Sequence, residues 1–217
     1  MVDFVPTEMG LKTEIINELH RPARRHFPRR NTVVKGINDL FQADLIEVRP
    51  HSRLNKGYHY ILTVINCFTK VADALPLKNK SAQTVANAMA KIIQRSRHKM
   101  KHLQTDDGKE YFNKVFANLM TKLNINHYST KSEKKAAIIE RFNRTLKGAI
   151  YKMFSQRGSY VWHDMLPTLI HEYNNKYHRT IGMKPVSVNK RNEKMVLSRI
   201  KMNTTPNKEK KVQKNSL

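Results

Sequence analysis

The spacing of apolar positions changes period near residue 80. Before that point, the stretches 40–48, 58–66 and 71–77 are short apolar runs with β-branched and aromatic side chains, and they read as strands. Asn55-Lys56-Gly57 supplies turn chemistry just ahead of the second run, so the first two are predicted to form an antiparallel hairpin with a longish loop. Pro76 places the third at a sheet edge, because proline cannot donate to a ladder. After residue 80 the period is helical. Ser81 can cap a helix running to about residue 96, with Val85, Ala88, Met89, Ile92 and Ile93 on one face. A short strand over 102–105 leads into the turn Asp106-Asp107-Gly108. A helix follows with Phe112, Val115, Phe116, Leu119, Met120 and Leu123 at helical spacing, then a strand over 125–128. Further helices are predicted from about residue 136 and over 160–177. Three consecutive strands followed by alternating helix and strand predict an α/β fold: a mixed five-stranded sheet with helices on both faces.

Charge adds a partner to this picture. The 217 residues hold 41 Lys+Arg against 17 Asp+Glu, a formal net charge of +24, which calls for a polyanion. The longest uncharged run, 57–69, is too short to span a bilayer and reads as a strand. The N-terminus shows no basic-then-apolar signal layout. Nucleic acid rather than membrane is therefore the expected partner, with no small-molecule substrate and a nuclear location. Residues 1–31 form a basic arm, densest over 21–30, where Pro22 and Pro28 disfavour a continuous helix. A phosphate-binding arm, a nuclear-import signal and a solvated charge run all remain open for it. The folded domain is expected over 32–192. Residues 193–217 are polar and basic and are expected to form a disordered tail. The single cysteine, Cys67, reads as a small buried apolar residue; it permits no disulfide within the chain and no Cys2His2 zinc site.

Three acids occupy positions that need a reason. Asp44 interrupts the apolar strand Phe41-Gln42-Ala43-Asp44-Leu45-Ile46, where a buried unpaired carboxylate is costly. Asp106 ends a strand just before a glycine turn, and ligands gather outside strand C-termini in open α/β sheets. Glu140 lies in the first turns of a helix beside Ile138 and Ile139. Singly, each also reads as a salt-bridged or capping residue, and Asp106 as an Asx-turn. As a set they need a compensating charge, since two carboxylates about 4 Å apart repel by roughly 4 kcal/mol at an effective dielectric near 20. Hard oxygen donors select Mg²⁺ or Mn²⁺, and two such ions can clamp both oxygens of a phosphodiester displacement.

The segments carrying these acids resemble a known family. The stretch 40–48, Thr105-Asp106-Asp107-Gly108-Lys109-Glu110-Tyr111-Phe112 and Ile139-Glu140-Arg141-Phe142-Asn143-Arg144-Thr145-Leu146-Lys147 are similar to the three signature segments of retroviral-type DDE integrase cores. Val64-Ile65-Asn66-Cys67-Phe68-Thr69-Lys70 and the stretch 173–185 resemble further segments, with the closest flavour in integrases of Maverick/Polinton-like DNA transposons. The resemblance spans roughly 19–192. It implies an RNase H-like fold, polynucleotidyl transfer, a homo-oligomer acting on donor ends and target DNA, and two Mg²⁺ or Mn²⁺ ions. It implies Asp44 and Asp106 as ligands of the first ion, with Glu140 completing the second site. The interval from Asp106 to Glu140 is slightly shorter than usual, a difference that the loop over 129–136 could absorb.

The chain departs from the family pattern at Asn66, where Asp is usual, and at Asp73, where an apolar or aromatic residue is usual. A Cys-bearing zinc module before the core and a chromodomain or small barrel after it are not visible in the sequence. On the helix carrying Glu140, Ile139, Phe142, Leu146, Ile150 and Met153 form a core face. Asn143, Arg144 and Lys147 are expected to project beside Glu140 towards a DNA backbone, as the family's matching positions do. Trp162, Leu166, Leu169 and Tyr173 read as packing, and His102, His127 and His171 as satisfied structural residues. Two other functions stay open: an integrase-derived DNA-binding protein whose chemistry has decayed, and an RNase H-like nuclease that only hydrolyses.

Overall fold

A computed structural model describes residues 8–20, 32–129 and 136–204. The elements run α1 (Glu8–Leu19), β1 (Leu40–Glu47), a 3-10 turn (Arg49–Asn55), β2 (Tyr60–Asn66), β3 (Ala72–Leu77), α2 (Ala82–Arg95), β4 (His102–Thr105) and α3 (Lys114–Lys122). They continue with β5 (Asn126–Ser129), α4 (Ala137–Arg157), α5 (Leu166–Asn175), a 3-10 turn (Pro185–Ser187) and α6 (Glu193–Thr204). The five strands form one sheet in the order β3-β2-β1-β4-β5. β1 and β2 are antiparallel, as are β2 and β3, whereas β4 runs parallel to β1 and β5 parallel to β4. Pro76 does lie on an edge strand.

Side chains alternate across the strands, so β1 and β2 feed two cores. Phe41, Ala43, Leu62 and Val64 pack with Val85, Met89 and Ile92 of α2 and with Phe116 and Met120 of α3. Ile46, Ile61 and Ile65 pack on the other face with Ile139, Phe142, Leu146, Ile150 and Met153 of α4, together with Trp162, Leu166 and Ile170. Helices thus cover both faces, as the change of period predicts. No helix among the described residues is long and apolar enough to cross a membrane.

The two ends of the chain depart from the sequence-based expectation. Part of the expected arm is a helix: α1 lies on α4, with Ile16 buried, His20 Nε2 3.0 Å from Ser155 Oγ, and Lys152 donating to Asn17 Oδ1 at 2.7 Å. The densest basic run, 21–30, lies outside the described residues. Part of the expected tail is also a helix. Val196 and Ile200, one turn apart on α6, enter a third core with Val34, Ile37, Leu40, Phe68, Ile181 and Val188. Glu193 accepts a hydrogen bond from Ile37 N–H at 2.8 Å, and a Cβ at Gly36 would meet its Oε1 at 2.6 Å. The polar composition of 193–204 misleads because two apolar residues on one face suffice when the rest of the core comes from elsewhere.

The two departures from the family pattern are structural. Asn66 is buried at the end of β2; its Nδ2 donates to Ile37 O at 2.7 Å, and its Oδ1 accepts from Phe68 N–H and Thr69 N–H at 2.9 and 3.0 Å. It therefore builds the β2–β3 turn. Asp73 pairs with Arg95 at the end of α2. Cys67 is fully buried, and burial pushes its thiol up to about 12. Trp162 precedes α5 rather than lying on it. Asn55 Oδ1 accepts from Trp162 N–H at 2.7 Å and from His163 N–H at 3.1 Å, which holds 160–165 out of the helix.

Candidate active site

Asp44 lies on the α4 side of β1, between Gln42 and Ile46 on the same face. Its Oδ1 accepts from Leu45 N–H at 2.8 Å, and its Oδ2 accepts from the Asn143 side-chain amide at 2.7 Å. The other end of that amide is fixed too: Asn143 Oδ1 sits 2.8 Å from Thr63 Oγ1, which also lies 3.1 Å from Asp44 O. Thr63 is the β2 residue directly opposite Asp44. Asp44, Asn143 and Thr63 therefore form a closed polar relay beneath α4. This corrects the expectation for Asn143. It is buried at 6% exposure and turned towards Asp44, not out towards nucleic acid.

Gln42 supports the next acid. Its Nε2 donates to Gln104 Oε1 at 2.6 Å, and its Oε1 accepts from Ile139 N–H at 3.0 Å. Ile139 is in the first turn of α4, where backbone donors lack helical partners, and Ala136 offers no side-chain cap. A strand residue thus caps the helix that carries Glu140. Glu140 is exposed, and so are Arg144 and Lys147, one and two turns further along that side of the helix.

Asp106 follows the last residue of β4. The register that pairs Gln42 with Gln104 sets Asp44 level with Asp106 on the neighbouring parallel strand, just past where the ladder ends. Thr105 Oγ1 donates to Asp106 O at 2.7 Å, and Gly108 N–H donates to Asp106 Oδ1 at 3.3 Å. A Cβ at Gly108 would meet Glu110 Oε2 at 2.8 Å and Asp106 Oδ1 at 3.1 Å, so glycine lets the turn bring these acids together. Asp106, Asp107, Gly108, Lys109 and Glu110 line an open cleft with Lys80 and Ala82.

The electrostatics follow from this crowding. Burial raises the Asp44 pKa, and the charges of Asp106 and Glu140 raise it further, against the pull of Leu45 N–H and Asn143. Burial also raises Asp106, with Glu110 and Asp107 adding to the shift and Gly108 N–H and Lys80 opposing it. Asp44 thus feels both other predicted acids. Asp106 acts on it more strongly than Glu140 does, and among the described residues no three of His, Cys, Asp and Glu gather closely enough to hold a metal ion. The donor set is all oxygen, the kind that Mg²⁺ and Mn²⁺ take, and mutually repelling carboxylates gain from a cation between them. The chemistry of the acidic pair fits a divalent ion, whereas Glu140 stands exposed on α4 and completes no three-acid cluster with it. Gln42, Thr63 and Asn143 as positioning groups escape sequence reasoning; the one visible signal is a Gln on the same strand face as Asp44.

Comparison with known proteins agrees with the geometry. The family model described as Integrase core domain matches residues 35–135. An uncharacterized transposon-derived protein of Caenorhabditis elegans is 35% identical over 134 residues, covering 62% of this chain and 47% of the nematode protein. The chain therefore spans less than half the length of that relative. A chain in the cryo-EM structure of a simian T-cell lymphotropic virus intasome with the PP2A regulatory subunit B56 gamma superposes with a TM-score of 0.65 at 19% identity, covering 82% of this chain and 67% of that one. The catalytic core domain of BIV integrase superposes with a TM-score of 0.54 at 18% identity, covering 76% of this chain and 98% of that one. The fold is RNase H-like and is shared with the BIV integrase catalytic core.

Proposed function

We propose that this chain is a transposon-derived DDE integrase core, with an affinity to the Maverick/Polinton kind, that carries out metal-dependent polynucleotidyl transfer. The observation that supports it most is the level placement of Asp44, within β1, and Asp106, just past the end of the neighbouring parallel strand β4, with Asn143 orienting Asp44. Bound Mg²⁺ or Mn²⁺ would supply Lewis-acid activation of the attacking oxygen and neutralise charge on the leaving one. Asp44, Asp106 and Glu140 are the residues that would hold two such ions. In the first reaction a water oxygen bonds to a phosphorus near the donor end and the 3′-oxygen leaves as a hydroxyl. In the second, that hydroxyl attacks a target phosphorus and displaces the target's 3′-oxygen. Arg144 and Lys147, exposed beside Glu140, would hold the DNA backbone. The reading carries with it a homo-oligomer acting on donor and target DNA in the nucleus.

The test is a Mn²⁺-dependent nicking and strand-transfer assay on labelled DNA ends. Wild type is expected to nick, and Glu140→Gln to lose at least about tenfold in rate if Glu140 is a ligand. A Glu140→Gln variant as active as wild type would remove Glu140 from the site. The exposure of Glu140 outside a tight three-acid cluster favours one rival, an integrase-derived protein that binds DNA without cutting it. Absence of nicking with wild-type DNA affinity would establish that rival.

The basic stripe makes a separate prediction. DNA binding should be largely sequence-independent and should weaken steeply with salt, as lysines and arginines displace counterions. Arg144→Ala and Lys147→Ala should each lower the magnitude of the logarithmic salt slope by about 1. Unchanged slopes from fluorescence-anisotropy titrations would place the DNA track elsewhere.

A further inference from the structure

Exposed apolar side chains gather near the C-terminal end of α4, about 20 Å along that helix from Glu140 by the rise of an α-helix. Tyr151 and Tyr160 are 52% and 54% exposed. Gly158 ends α4 in the left-handed conformation at φ 62°, with its N–H on Phe154 O at 2.9 Å, and the chain then folds back over the 3-10 turn of Arg49–Asn55. Buried Asn55 ties the two segments together. Its Nδ2 donates to His51 O at 2.7 Å and to Tyr160 O at 2.9 Å, while its Oδ1 takes the Trp162 and His163 N–H groups. The result is a stack: the His51 and Tyr160 rings lie 4.5 Å apart and 4° from parallel. Phe154, buried, meets them edge-on at 5.4 and 5.2 Å, and Tyr151 meets Phe154 edge-on at 5.9 Å. Leu54, 55% exposed, follows His51 by three residues and so shares its side of the 3-10 turn. The stack is thus fixed before any ligand arrives, which lowers the ordering cost of binding.

A pair of parallel rings with its outer member half exposed is extended by a third flat ring. Nucleobases are flat, and every base can stack on an aromatic side chain whatever its sequence. An intact duplex keeps its base faces closed against one another, whereas an unpaired strand offers them. The charge agrees. The segments 49–59 and 151–165 that build the platform hold five Lys+Arg and one acid, Asp164, which Arg157 pairs with at 3.1 Å. Arg53, on the 3-10 turn, and Lys56, just after it, are exposed and can meet the phosphates on either side of a stacked base. A protein partner would have to bring acids to a surface this basic, and its aliphatic side chains would gain nothing from the planarity of the rings.

We propose that the His51–Tyr160 stack is a binding site for an unpaired nucleobase, with Arg53 and Lys56 on the flanking phosphates, so that this chain grips single-stranded DNA at a place remote from its acidic site. The inference goes beyond the proposed catalysis and stands without it, since neither metal nor cleavage enters.

The experiment is fluorescence-anisotropy titration, without metal, of a short labelled oligothymidine and of a long duplex against wild type, Tyr160→Leu and Tyr160→Phe. Leucine keeps apolar bulk and loses the flat ring; phenylalanine keeps the ring. Tyr160→Leu is expected to weaken oligothymidine binding at least about fivefold, and Tyr160→Phe by less than about twofold. Both should bind duplex as wild type does, which also reports that they are folded. Oligothymidine binding by Tyr160→Leu at the wild-type strength overturns the proposal, and so does equal weakening towards strand and duplex. A second readout uses wild type alone: oligothymidine carrying 5-iodouracil is photocross-linked and the adducts are mapped by peptide mass spectrometry. Adducts at Tyr160 or His51 are expected, and adducts confined to other residues overturn the proposal however the variants fold. Self-association in sedimentation runs that Tyr160→Leu abolishes, with oligothymidine binding intact, would make the patch an interface between copies and likewise overturn it. Failure of the metal-dependent nicking assay leaves these results untouched, so the two readings fail separately.

Discussion

Asp106→Asn is expected to lower metal-dependent nicking roughly a thousandfold, equivalent to about 4 kcal/mol of lost transition-state stabilisation. The same substitution should raise the melting temperature of the metal-free protein by about a degree or two, a small gain because the group is partly exposed. The two effects have one origin. Asp106 is held level with Asp44 just past the end of β4 and sits beside Glu110 and Asp107, so burial and like charge disfavour its ionised form. Asparagine keeps the Oδ1 that accepts from Gly108 N–H and drops the charge, so the local fold is preserved. The pH dependence has a definite sign. The folded pKa lies above the ordinary value of 3.8, so the native state binds more protons than the unfolded state between the two values. The ionised carboxylate therefore destabilises the metal-free protein above the folded pKa, and this cost disappears as pH falls towards 3.8. The melting-temperature gap between variant and wild type should be widest near neutrality and close in acid. Saturating Mn²⁺ should reverse its sign at neutral pH, since the ion stabilises only the wild-type site. A variant that nicks as well as wild type, or one less stable without metal, would make Asp106 an ordinary turn residue.

Much of this architecture was open to sequence reasoning because burial period is a local property. The pattern predicts the strand over 102–105 with the bounds that the fold shows, and the core face of α4 follows from Ile139, Phe142, Leu146, Ile150 and Met153 at helical steps. Two of the misreadings share a physical cause: their partners are remote in sequence. α6 reads as polar until Ile37, Phe68 and Ile181 are known to complete its core. The stretch 160–165 reads as helix until Asn55 is found holding Trp162 and His163 from the far side of the chain. α3 starts at Lys114, not Phe112, because Asn113 caps it by accepting from Phe116 N–H at 2.9 Å. At the site, Asp44 and Asp106 stand out as acids at strand positions where acids are uncommon. Asn143 was the harder case. On a helical projection it falls between the core face and the stripe of Glu140, Arg144 and Lys147, and only the carboxylate on the strand beneath decides which way it turns.

Asn143 also gives the test that best separates orientation from packing. Asn143→Ala removes the donor to Asp44 Oδ2 and leaves that carboxylate anchored by Leu45 N–H alone. Thr63 keeps an acceptor, since its hydroxyl can turn to Asp44 O at 3.1 Å. Nicking should fall roughly 10–100-fold, as expected when a group that orients a metal ligand is lost. Because the Asn143 amide pulls the Asp44 pKa down, its removal lets burial and the charges of Asp106 and Glu140 push that pKa higher. The acidic limb of the pH–rate profile should therefore move to higher pH, a shift that lost volume alone would not cause. Asn143→Asp sharpens the comparison. It matches asparagine in size and can still accept from Thr63, but it cannot donate when ionised, and it sets a second negative charge against Asp44. If Asn143 only fills space, Asn143→Asp should outperform Asn143→Ala. If it serves as the donor that aims Asp44, Asn143→Asp should be the slower of the two, with its acidic limb moved further still. Nicking by Asn143→Asp at the wild-type rate and with the wild-type pH profile would detach Asn143 from the chemistry and leave it a structural link between α4 and the sheet.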